Sequence, residues 1–145
     1  MRVSILSREN MNILIRKNAI PSNTAIVSFS DCEEEFIKFP KEIDVLKIAF
    51  MDIIPFEIDK KYYDSILPEA KIIAEYIVNK VKEGKDIICQ CDYGVSRSAG
   101  LAAAILQMYG HHGIQIFSDY RYLPNQFVYN KVLKELKQLN SVKTK

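Results

Sequence analysis

Between Asp86 and Leu106 the chain makes one abrupt change of character, and that change constrains the fold more than any other stretch. Asp86-Ile87-Ile88-Cys89-Gln90 is short, apolar and rich in isoleucine, the pattern of a buried strand. Ala99-Gly100-Leu101-Ala102-Ala103-Ala104-Ile105-Leu106 is rich in alanine and leucine with no proline, the pattern of a helix. Only Cys91-Asp92-Tyr93-Gly94-Val95-Ser96-Arg97-Ser98 separates them. The segment therefore predicts a strand, a tight loop and a helix N-terminus.

That arrangement binds anions. The first N–H groups of a helix have no partner within it, and the aligned peptide dipoles add about half a positive charge at that end. A curled loop lets the N–H groups of Asp92, Tyr93, Gly94, Val95, Ser96 and Arg97 converge on one tetrahedral anion. Gly94 permits a backbone turn that a side chain would obstruct, and the planar fork of Arg97 grips two anion oxygens. Cys91 then lies beneath the anion. A thiol beside a helix N-terminus and an arginine is expected to ionise readily, in the range of about 3.5 to 7.5 for such sites. The expected product is a thiolate under a bound phosphate.

Five residues lie between Cys91 and Arg97, and a hydroxyl residue, Ser98, follows at once. In this the segment resembles the Cys-x5-Arg signature loop of the cysteine-based protein tyrosine phosphatases, and with Ser98 and the short chain it is most similar to their dual-specificity branch. It departs from the family in having Gln90 where histidine is usual, and it lacks the Trp-Pro-Asp loop of the larger tyrosine-specific members. The resemblance runs from about Ile26 to Leu136. It implies the compact phosphatase fold with a mixed sheet of about four or five strands, while the length predicts one α/β domain over 1–145 and the alternation of elements predicts helices on both faces. It also implies that Ser98 donates to the Cys91 thiolate. Asn125, after Pro124, is either a helix N-cap or a brace for the signature loop, and one side chain can do both.

A thiolate that attacks a phosphate monoester must expel an alkoxide or phenoxide, so a proton donor is needed across the phosphate. The two histidines, His111 and His112, fall in a Gly110–Gly113 break read as a surface loop without a metal. An aspartate is therefore expected. Asp52 lies just past a predicted strand, where dual-specificity phosphatases carry their acid, with Asp59 and Asp64 as alternatives. The Asp92 side chain is expected to project away from the phosphate, while Tyr93 and Arg121 are candidates for the pocket mouth.

The elements alternate. Arg2 to Leu6 predicts a strand, followed by a short helix capped by Ser7. Ala25 to Phe29 predicts a central strand and Val45 to Phe50 a third. Between them, Asp31 to Pro40, with Glu33-Glu34-Glu35, reads as a solvated acidic surface. Ile66, Ala70, Ile73, Ile77 and Val81 recur at helical spacing, which predicts a helix from Tyr63 to Glu83 with Gly84 after its end. Ile114 to Asp119 and Phe127 to Leu139 predict two further helices, and Lys131, Lys134 and Lys137 read as a solvated side of the second. The polar tail from Ser141 to Lys145 is expected to fray.

A net charge of +2 is too small to argue for nucleic acid or a membrane surface. Three cysteines exclude a complete disulfide framework, and with no apparent leader they suit a reducing, cytoplasmic setting. Cys32 reads as a bystander, and Cys89 as a small buried hydrophobe in preference to a redox partner of Cys91. The expected activity is metal- and cofactor-free hydrolysis of phosphotyrosine, or of mixed phosphotyrosine, phosphoserine and phosphothreonine, in protein substrates by a monomer. The alternatives are a phosphate-binding module without turnover, a phosphatase of phosphoinositides or RNA 5′-phosphates, and a rhodanese-like sulfurtransferase.

Overall fold

The computed structural model describes residues 1–143. Its strands β1 (Val3–Leu6), β2 (Thr24–Ser30), β3 (Asp44–Ala49) and β4 (Asp86–Gln90) form one sheet in the order β1-β4-β2-β3. The expected α/β class and strand number hold, but the sheet is not mixed: all its pairings are parallel. No hairpin joins neighbouring strands, and each strand returns to the same end of the sheet before the next begins.

The route explains which helix covers which face. From β1 to β2 to β3 the chain moves one way across the sheet, and on the way to β4 it reverses. Right-handed crossovers then require the first two connections on one face and the third on the other. On the first face α1 (Arg8–Arg16) and the 31–43 connection bury Met11 and Ile37 against Ile26 and Ile88. On the second, α2 (Ala70–Lys82), α3 (Arg97–Gly110) and α5 (Gln126–Lys143) pack on Val27, Phe29, Ile87 and Cys89. The faces alternate residue by residue along β2 and β4, as the pleat demands. A short helix α4 (Ile114–Phe117) links α3 to α5. No described helix is long and apolar enough to cross a membrane.

Three expectations change. The helix predicted from Tyr63 is a 3-10 turn over Lys60–Ser65, a break, and then α2 from Ala70. Pro68 disfavours helical geometry at the residue before it, and Leu67 adopts φ +53°. Beyond α2 the expected Gly84 stop is present: Gly84 N–H bonds Val81 O at 3.0 Å and Lys85 N–H bonds Lys80 O at 3.0 Å, the paired bonds of a Schellman end. Lys131 is not simply solvated, since its ammonium donates to the carbonyls of Tyr63 and Ile66 and ties that irregular segment to α5. Finally, α5 runs on through Lys143, so the frayed tail is not found there, and residues 144–145 lie outside the described part.

At the opposite end of the sheet from Cys91, Asp44 ties β3 to α2 and to the turn that leads into β4. Its Oδ2 lies 2.7 Å from Lys80 Nζ and 2.8 Å from Lys85 Nζ, and Tyr76 donates to its Oδ1 at 2.8 Å. Burial works to raise this carboxyl, but the bonds from Lys80, Lys85 and Tyr76 outweigh it and hold it at about 2. A carboxyl depressed below its unfolded value of about 3.9 stabilises the fold above that value and loses its contribution as pH falls toward 2. Asp44→Asn is expected to lower stability by about 1–2 kcal/mol at pH 7. Urea unfolding of both proteins should show that gap closing at pH 2.

Candidate active site

The carboxyl ends of all four strands meet on one edge, and each delivers one polar residue. Arg8 follows β1, Asp31 follows β2, Asp52 follows β3 and Cys91 follows β4. In open α/β sheets this edge is where ligands bind. The order of the strands places β4 between β1 and β2, so Cys91 has neighbours on both sides.

The loop from Cys91 to Arg97 curls as the sequence predicts. Gly94 takes φ +68°, and its missing side chain matters twice, because a Cβ there would lie 2.8 Å from the backbone N of Ser7. Among the described residues, the N–H groups of Tyr93, Gly94, Val95 and Ser96 donate to no protein acceptor. The loop is held from outside instead: Val95 O accepts from Leu123 N–H at 3.0 Å, and Ser96 O from Asn125 N–H at 3.0 Å. That close approach of the α5 entry to α3 requires Gly100, where a Cβ would lie 2.5 Å from Asn125 O.

Cys91 is 2% exposed, and its Sγ lies 3.0 Å from Ser98 Oγ in a hydrogen bond that either atom is able to donate. Arg97 is anchored at one corner: its Nη1 donates to Asp31 Oδ1 at 2.8 Å and to Phe50 O at 2.6 Å. Its Nη2 is 3.6 Å from Asp92 Oδ2. Its Nε is buried and has no protein partner among the described residues. A buried donor left unpaired is destabilising by about 1–3 kcal/mol, so such groups point to a ligand.

Asp52 lines the same cleft as Cys91 and Arg97, together with Ile54, Tyr93, Val95, Ser96 and Leu123. The cleft measures about 460 Å³. Two donors hold Asp52 Oδ1: Ser96 Oγ at 2.7 Å and Asn125 Nδ2 at 2.9 Å. The Asn125 amide also reaches Ile53 O at 2.9 Å, while its Oδ1 accepts from Val128 N–H at 3.0 Å. Asn125 thus caps α5 and braces the Asp52 loop at once. Asp59 caps a 3-10 turn through Lys61 N–H, and neither it nor Asp64 lines the cleft. Arg121 pairs with Asp119 at 2.7 Å and does not line the cleft either.

Gln90, the residue before Cys91, is fully buried. It accepts from Ser28 Oγ and donates through Nε2 to Cys91 O at 2.9 Å, which fixes the carbonyl of the loop's first residue. Cys89 is buried, and burial followed by the nearby Cys91 pushes its thiol up, the behaviour of a small hydrophobe. All three cysteines are free.

Sequence reading missed Asp31 and Arg8. The sequence places Asp31 in an acidic surface stretch and Arg8 at the start of a helix. Their one signal is position: each directly follows a strand, or its N-cap, at the edge where Cys91 emerges.

No family profile matches the chain, and no curated protein matches it. Solved structures do. Human DUSP28 superposes with a TM-score of 0.62 at 15% identity, over 95% of this chain and 90% of that one. The PTP-2 phosphatase of Cydia pomonella gives 0.59 at 19% identity, over 92% and 85%. PTPMT1, solved in complex with PI(5)P, gives 0.58 at 11% identity, over 98% and 94%. At such identities the likeness is one of fold, and this chain has the fold of the dual-specificity and tyrosine phosphatases.

Proposed function

We propose that this protein hydrolyses phosphomonoesters through a cysteinyl-phosphate intermediate, with phosphotyrosine in proteins as its substrate. The observation that carries the proposal is the free edge of Arg97. With Nη1 tied to Asp31 and Phe50 O, the edge of the guanidinium that carries the buried, unpartnered Nε is left for an oxyanion in the cleft that Arg97 shares with Cys91. Donors fixed before the ligand arrives need no reorganisation as charge builds in the transition state, which is usually the largest catalytic term.

In the first step the Cys91 thiolate attacks phosphorus and the ester P–O bond breaks. Asp52, protonated, gives its proton to the departing oxygen. Both hydrogen bonds to Asp52 end on Oδ1, which leaves Oδ2 free to carry that proton. In the second step water attacks phosphorus and passes a proton to the Asp52 carboxylate. The P–S bond breaks, and Ser98 Oγ, at 3.0 Å, donates to the thiolate that leaves. The net change is ester plus water to alcohol plus inorganic phosphate.

The cleft walls favour an aryl ester. Ile54, Tyr93, Val95 and Leu123 surround the approach to Cys91 with apolar surface suited to a ring. Ile54 and Leu123 also form one wall of a neighbouring groove of about 670 Å³ lined by Phe56, Phe117 and Tyr122, which leaves room for peptide residues beside the phosphotyrosine. The test is release of inorganic phosphate, in the presence of a chelator, from matched phosphotyrosyl and phosphoseryl peptides, a phosphoinositide and a 5′-phosphorylated RNA. The expected result is kcat/KM at least about tenfold higher for the phosphotyrosyl peptide, equivalent to one well-placed apolar contact set. Binding of the peptide without turnover would favour a phosphate-binding module, and inertness toward every substrate would overturn the proposal.

A further inference from the structure

The signature loop is gripped by a residue from the far end of the sequence. Arg8, first residue of α1, donates through Nε to Asp92 Oδ1 at 2.9 Å. Its Nη2 reaches Glu35 O at 2.6 Å and Ser30 Oγ at 3.3 Å, so the guanidinium is itself fixed. Its backbone N–H donates independently to Asp92 O at 3.0 Å. Asp92 in turn stands 3.6 Å from Arg97 Nη2, just beyond hydrogen-bond distance, and Arg97 is anchored on its other side by Asp31. The charges alternate Arg8, Asp92, Arg97, Asp31. Glu35 adds a third carboxylate within 4.8 Å of those of Asp31 and Asp92.

We infer that Arg8 is a positioning residue: by holding the Asp92 carboxylate, it keeps Asp92 from closing on Arg97 and leaves the Nε and Nη2 edge of that guanidinium free for an oxyanion. Asp92 has two arginines to choose between. Its bond to Arg8 is direct, and its approach to Arg97 is not. Without the Arg8 side chain, the nearest cation to Asp92 is Arg97 Nη2, and a shift of less than one ångström from 3.6 Å would make a charge-assisted bond at about 2.7–2.9 Å. A carboxylate seated there occupies the donor that a phosphoryl oxygen needs. The loop's own aspartate then acts as an internal competitor for the anion.

The inference rests on the phosphatase reading only in taking a tetrahedral oxyanion as the loop's ligand. Its test is the calorimetric affinity of inorganic tungstate for the full chain, alongside hydrolysis of p-nitrophenyl phosphate. Arg8→Ala keeps the backbone bond to Asp92 and removes only the fork. It is expected to weaken tungstate binding and raise KM by about tenfold, the equivalent of one charge-assisted bond, with a smaller change in kcat. The same substitution made in an Asp92→Asn background should change both by less than about twofold, because the competitor has lost its charge. A purely structural role, or loss of one positive charge from the general field, would weaken binding equally in the two backgrounds and would overturn the inference. So would unchanged affinity in Arg8→Ala. Melting temperatures of the four proteins report whether each is folded. Should the wild-type chain bind tungstate yet fail to hydrolyse the ester, the catalytic reading falls and the Arg8 comparison still reads out. Should it bind no tungstate, both fall.

Discussion

Cys91→Ser is expected to lower kcat on a phosphotyrosyl peptide by about 10⁴-fold or more, the scale on which loss of a nucleophile acts in enzymes that work through covalent intermediates. The argument lies in what the substitution leaves in place. Serine is close in size to cysteine, and the site is already 2% exposed, so packing around the loop changes little. The amides of Tyr93 to Ser96 and the anchored Arg97 do not depend on the sulfur. Oxyanion affinity should therefore stay within about tenfold of wild type while turnover disappears. A hydroxyl is a far weaker nucleophile than a thiolate, and Ser98, 3.0 Å away, is placed to hydrogen-bond the group at 91 and not to deprotonate it. Turnover that survives the change, measured as phosphate release with tungstate affinity as the control for an intact loop, would remove Cys91 from the chemistry.

What the sequence disclosed and what it withheld follow one physical division. The signature loop was legible because its elements follow one another in a single unbroken stretch, Asp86 to Gly110: an apolar strand, a glycine that tolerates φ +68°, and an alanine-rich helix. The place of Asp52 beside the Cys91 cleft was legible from its position after a strand and from the resemblance. The Schellman end at Gly84 and the Ser7 cap, which accepts from Asn10 N–H at 3.1 Å, are equally local. The anchor of Arg97 is not local. Asp31 lies 66 residues away in sequence, and Arg8 and Asp92 are 84 apart. Only the order β1-β4-β2-β3 brings them together, and that order is not written in any window of the chain. The mixed sheet was likewise inferred from resemblance, whereas parallel pairing follows from the connections. Pro68 shows a different failure. The helical spacing from Ile66 to Val81 was real, but periodicity does not register a proline that breaks the first turn.

Asp52→Asn is the substitution that separates chemistry from architecture. The amide is nearly isosteric, and its Oδ1 still accepts from Ser96 Oγ and Asn125 Nδ2, so the loop after β3 should keep its place. What is lost is the capacity to give a proton to the leaving oxygen and later to take one from water. General acid–base groups contribute about 10²–10⁴-fold. A phosphotyrosyl peptide, whose leaving phenoxide has a conjugate acid of pKa about 10, should feel most of that loss. p-Nitrophenyl phosphate should feel much less in the first step, because its nitrophenolate departs without help. The ratio of the two kcat losses is therefore the diagnostic quantity. Equal losses would place the contribution of Asp52 in the shared second step or in the placing of Ser96 and Asn125, and would remove it as the acid for the leaving oxygen. No loss on either substrate would move the acid to another carboxylate, although Asp59 and Asp64 both lie outside the cleft that holds Cys91. Thermal unfolding of the variant completes the measurement: an unchanged melting temperature with a substrate-dependent loss assigns the effect to the proton and not to the fold.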